Sequence, residues 1–142
     1  MEDIQRRSAV ALGLATATAA LTVPQAATAE TYGPDYGPDD GREVAPGVRR
    51  VDLGRRESMA PGYKTVSMRD IIYRPGAKTE SPVMANDMVC HCLTGKLLVD
   101  RGNGRRFTAR QGDVWNCVKG EPESDVNTGT TVAIMRVIDL LA

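Results

Sequence analysis

The sequence predicts an all-β protein, a barrel or sandwich of short strands. Three observations predict it. Apolar stretches recur at roughly 8–12-residue spacing with Gly, Pro, Asn or Asp between them. β-branched residues gather in those stretches, most plainly in "TTVAIMRVIDLL", residues 130–141. From Val48 onward no segment sustains a helical period.

Each element follows from local chemistry. "YKTVSMRDIIYRPGA", Tyr63 to Ala77, alternates and ends in a turn at Pro75-Gly76. "KLLVDRGNGRRFTA", Lys96 to Ala109, reads as strand, turn at Arg101-Gly-Asn-Gly104, strand. That is a hairpin signature. "QGDVWNCV", Gln111 to Val118, is a short strand after a glycine turn. Arg101, Arg105 and Arg106 are expected in a solvated turn, and the carboxylates of "EPESD", Glu121 to Asp125, near a mouth of the barrel.

The first 29 residues have the layout of an export signal. An Arg pair, Arg6-Arg7, precedes an uncharged apolar run from Ala9 to Val23, and "ATA" at 27–29 marks a cut before Glu30. The run is short of the roughly 20 residues that span a bilayer. "QRRSAV" resembles the twin-arginine export signal, without a bulky Phe-Leu pair after the serine. The expected product is exported, periplasmic or secreted, and free of the membrane once the signal is removed. Residues 30–47, with the repeat Tyr32-Gly-Pro-Asp and Tyr36-Gly-Pro-Asp, are too dense in Gly and Pro for a strand or helix. They are expected as a flexible leader, with residues 48–142 as the folded barrel.

Charge narrows the partners. Among 142 residues, 18 Lys and Arg balance 18 Asp and Glu, and removing residues 1–29 leaves 16 of each. A neutral chain has no electrostatic basis for holding nucleic acid or an anionic membrane. One Phe and one Trp supply no stacking platform for single strands. A small molecule is the expected partner.

Two spaced patterns resemble the cupin motifs, G-x5-H-x-H-x3-E-x6-G and G-x5-P-x-G-x2-H-x3-N. Gly76 is followed at the first spacing by Pro82, Met84, Met88 and Gly95. Gly112 is followed at the second by Val118, Gly120, Glu123 and Asn127. All frame glycines stand where turns of positive φ are wanted. The resemblance covers about Tyr63 to Ile138 and implies a cupin-type double-stranded β-helix, a jelly-roll barrel. Such barrels commonly pair through their sheets, so it also implies a homodimer. The four metal-ligand positions, three His and one Glu in the family, are here Pro82, Met84, Met88 and Glu123. Proline does not ligate, and thioethers are poor partners for iron(II) or manganese. The family's usual metal chemistry is therefore not expected.

If Met88 points inward, strand alternation sends Cys90 and Cys92 inward and His91 outward. Met84, Met88, Cys90, Cys92 and Trp115 would then wall a pocket for a small, largely apolar ligand, with Glu123 as its polar handle. Trp115 serves equally as plain core. Three further readings stand beside this one. Met and Cys often merely fill space. Cys90, Cys92, Met84 and Met88, with Cys117 if it faces inward, form a soft set suited to copper or zinc. Cys117 could instead join Cys90 or Cys92 in a disulfide. An enzyme using Glu123 as general base, or a thiolate, is a last alternative, against which Glu123 is expected in a solvent-facing acidic turn.

Overall fold

A computed structural model describes residues 34–142 of the chain. The expected export signal, and residues 30–33 of the leader, lie outside the described residues. Ten strands form: β1 Arg42–Ala45, β2 Val48–Glu57, β3 Thr65–Tyr73, β4 Lys78–Ser81 and β5 Asp87–Thr94. β6 Lys96–Asp100, β7 Arg106–Arg110, β8 Val114–Cys117, β9 Glu123–Val126 and β10 Ala133–Leu141 complete them. No helix occurs among the described residues, as the missing helical period requires. The strands build two antiparallel sheets, one ordered β1-β2-β3-β10-β5-β8 and one ordered β4-β9-β6-β7.

Alternation decides what goes between the sheets. On β10, Met135 and Val137 are buried in the interior cluster while Arg136 between them points the other way, half-buried. On β5, Met88, Cys90 and Cys92 are buried and His91 is only half so. These two strands thus each set one face on the core.

The frame glycines stitch the two motifs together. Gly76, Gly95, Gly112 and Gly120 all have positive φ, as their turns demand. Gly76 donates to the carbonyl of Asn127, and Asn127 returns a bond to that of Ala77, so the first motif's start meets the second motif's end. The Asn127 side chain, buried, also holds the carbonyls of Tyr73 and Thr131 at 3.0 and 2.8 Å. Gly112 donates to Cys92 O and Gly120 to Met84 O. At Gly95 space is the constraint: a Cβ there would lie 2.8 Å from Val132 O and 2.9 Å from Ala133 Cα.

The leader differs from expectation. β1 lies inside residues 30–47 and pairs with β2 across the turn at Pro46-Gly47. Upstream, Arg49 donates to the carbonyls of Asp39, Asp40 and Gly41 at 2.7–2.8 Å. Tyr36 donates to the buried Asp70 at 2.7 Å. Gly and Pro density forbids a long element, yet four residues suffice for a strand when a ladder is offered.

Candidate functional site

Between the sheets lies a cavity of about 220 Å³. Its apolar wall includes Ile71 from β3, Met84, Met88 from β5, and Met135 and Val137 from β10. Cys90, Glu123, Asp125, Tyr73, Thr79 and Arg69 give it a polar side. Met84 sits in the loop between β4 and β5, where Met84 N donates to Glu121 O at 2.8 Å and its own carbonyl accepts from Gly120 at 2.9 Å.

Three expected wall residues, Met84, Met88 and Cys90, therefore meet at one cavity, with Glu123 beside them. The other two do not line it. Cys92 is fully buried, but its thiol points to the carbonyls of Thr94 and Gly95 at 3.6 and 3.7 Å. Burial pushes that thiol up to about 11. Trp115 is core, edge-on to Phe107 at 5.8 Å between ring centres. Pro82 is exposed, because the chain has left β4 by that point and strand alternation no longer applies.

Glu123 is not in a solvent-facing turn; it is 4% exposed. "EPESD" enters β9, whose alternation turns Glu123 and Asp125 inward. The Cys117 thiol lies 3.0 Å from both Glu123 carboxylate oxygens, which settles the inward face of Cys117. Trp115 Nε1 donates to Glu123 Oε1 at 3.5 Å. Arg101 also departs from expectation: its side chain leaves the hairpin, donates to Asn116 O and brings Nε to 3.6 Å from Glu123 Oε2. The Cys117 and Cys90 sulfurs are 3.6 Å apart, and all three cysteines are free thiols. The bond to Cys90, burial and the Glu123 carboxylate all hold the Cys117 thiol far above its ordinary range.

Asp125 is the residue that sequence reasoning missed. It is 5% exposed, and its Oδ1 has no hydrogen-bond partner. Burial, then repulsion from Glu123, pushes its carboxyl up to about 8, although the Thr79 and Tyr73 hydroxyls pull the other way. Arg69 is similar. Its guanidinium holds Asp139 at 3.0 Å, while its buried Nε finds no partner. The E-x-D spacing of Glu123 and Asp125 was the available signal for the first. A larger hollow of about 650 Å³ lies outside, between the leader and Ile72 and Ile134, but it holds none of the thiols or buried carboxylates.

Solved structures share this architecture. The chain is similar to an RmlC-like cupin from Shewanella frigidimarina, with a TM-score of 0.58 and 16% identity over 76% of this chain and 89% of that one. The fold is the cupin barrel. A protein with a double-stranded β-helix domain from Klebsiella pneumoniae aligns with a TM-score of 0.57 and 16% identity, over 70% and 82% of the two chains. A Cupin_2 domain of an XRE-family transcriptional regulator from Enterobacter cloacae aligns at 0.55 and 16%, over 68% and 98%. At these identities the likeness is one of fold. No protein-family model and no curated protein matches the chain.

The cupin barrel's usual hard metal does not fit these residues. Of the four ligand positions, Pro82 is outside, Met84 and Met88 offer only thioethers, and Glu123 is the single oxygen donor.

Proposed function

We propose that this cupin-fold protein is exported and binds a small molecule between its sheets, without an iron or manganese ion. The observation that supports a bound molecule most directly is Asp125, a buried carboxyl with an oxygen left unpaired on the wall of the cavity. An unsatisfied buried polar group costs about 1–3 kcal/mol, a cost that a bound partner removes. With its carboxyl pushed up to about 8, Asp125 keeps a proton at neutral pH that it can offer to an acceptor. Arg69 Nε, facing the same cavity from β3 on the opposite sheet, is a second unpaired donor. Two donors beside Met84, Met88 and Ile71 favour a ligand with an apolar body and an oxygen acceptor, a carbonyl or a carboxylate. Glu123, already engaged by Cys117, Trp115 and Arg101, is the weaker polar handle.

Size bounds the ligand. The cavity's 220 Å³ falls below the roughly 300–1,000 Å³ of drug-sized sites, and equals about seven waters' share of liquid volume. That suits a compact carbonyl compound or short-chain acid. Small-molecule mass analysis of freshly isolated protein tests this, followed by thermal-shift titration with short-chain ketones and carboxylic acids. The expected result is a stabilising ligand whose affinity falls at least tenfold in Asp125→Asn. A protein that retains no compound and is stabilised by neither class sinks the reading. N-terminal sequencing of the mature protein tests export, with Glu30 expected first.

A further inference from the structure

β5 and β8 are neighbours, with Met88 opposite Cys117 and Cys90 opposite Trp115. Cys90 and Cys117 are therefore diagonal on the inward face, and their sulfurs meet at 3.6 Å. From the other sheet β9 brings Glu123 to 3.0 Å from Cys117 Sγ. One donor atom from each of the three lies within 4.8 Å of the others, and all three residues are buried. We propose that Cys90, Cys117 and Glu123 bind a thiophilic divalent cation of zinc's class.

Geometry, charge and donor type agree on this. Two thiolates on a tetrahedral ion, each about 2.3 Å away, stand about 3.8 Å apart, close to the spacing already present. Two thiolates and a carboxylate carry three negative charges; a divalent ion and the guanidinium of Arg101 together cancel them. Two sulfurs select against magnesium, calcium and manganese. On binding, each thiol gives up its proton to solvent and nothing is oxidised or reduced. The ligand set differs from both the family's pattern and the five sulfurs expected from sequence. Glu123 joins it, and Cys92, turned toward Thr94 and Gly95, leaves it. Because Cys90 and Glu123 are on the cavity wall, the ion's fourth position opens toward the cavity, the arrangement of a site that exchanges ligands.

A Cys90–Cys117 disulfide is the competing use of the same pair. It requires an external oxidant, and it leaves the buried Glu123 carboxylate against a neutral bridge.

The test is cobalt(II) titration of the full chain, purified without air and with reductant, followed by zinc. A thiolate-to-cobalt charge-transfer band saturating at one ion per chain, displaced by zinc, is expected. Cys92→Ser retains the band, Cys90→Ser and Cys117→Ser lose it, and Glu123→Gln weakens binding at least tenfold. Should a cysteine variant fail to fold, alkylation of the unaltered protein gives the same answer: zinc shields Cys90 and Cys117 and leaves the Cys92 rate unchanged. No band from the folded, reduced protein overturns the proposal. So does a band that survives Cys117→Ser, or a Cys90–Cys117 disulfide in protein isolated without air. The ligand reading is tested separately, by Asp125→Asn in metal-free protein, so either can fail alone.

Discussion

Asp70 and Asp125 are both buried aspartates on strands of the same barrel, and they are treated in opposite ways. Asp70 faces outward from β3 and is fully covered. Arg136 grips it with Nε and a terminal nitrogen at 2.8 and 2.9 Å, and the Tyr36 hydroxyl adds a bond at 2.7 Å. Asp125 faces the cavity with no cation within salt-bridge distance and one oxygen unpaired. Giving both oxygens partners makes a carboxylate structural. Leaving one open on a hollow makes it available.

The largest expected difference is in pH dependence. The carboxyl of Asp125 has an ordinary value near 3.8 when unfolded and about 8 when folded. The folded chain thus keeps a proton that the unfolded chain releases. Its stabilising contribution is fully present below about pH 4 and is lost as pH rises through about 8, at up to about 1.4 kcal/mol per pH unit. Urea titrations between pH 4 and 9 should show this slope in the native chain, flattened in Asp125→Asn. An identical slope in the variant would remove Asp125 as its source.

Next in size is Arg136→Ala, which strands Asp70. Losing one partner of a buried pair costs about 3–5 kcal/mol, and about 3 is expected here because Arg136 keeps some contact with water. Asp125→Leu applies the same insult inside and should leave stability unchanged or raised, since it deletes an unpaired group. Equal losses at both sites would erase the contrast. Tyr36→Phe, removing one hydrogen bond from Asp70, should cost about 1 kcal/mol by chemical denaturation. Cys92→Ser is expected to fall below that, because a hydroxyl there still reaches the carbonyls of Thr94 and Gly95.

The barrel itself was legible in the sequence because glycines in turns and period-2 strands are local properties. Gly76, Gly95, Gly112 and Gly120 announce their φ whatever surrounds them. Met88 and Cys90 were legible as interior residues for the same reason, whereas Met84, in the loop after β4, was legible only through the spacing of the motif. Alternation gives the face of a residue and not its depth, which is why Cys92 shares a face with Cys90 yet misses the cavity. It also fails wherever the strand stops, as at Pro82. Arg101 was hidden differently: a long side chain in a polar hairpin can fold back across the sheet, and only the position of Asn116 and Glu123 reveals it. Asp125 was lost within a run of acidic neighbours, where composition outweighed spacing.

β5 passes into β6 through Gly95 alone, so the chain changes sheets at one residue packed against Val132 and Ala133. β5 carries Met88 and Cys90, and β6 sets Val99 directly opposite Asp125 on β9. The sulfur jaw and the carboxyl jaw are therefore clamped at a joint with no room to swing. The width of the hollow is set like the gap of a fixed calliper, by a joint that no side chain can enter.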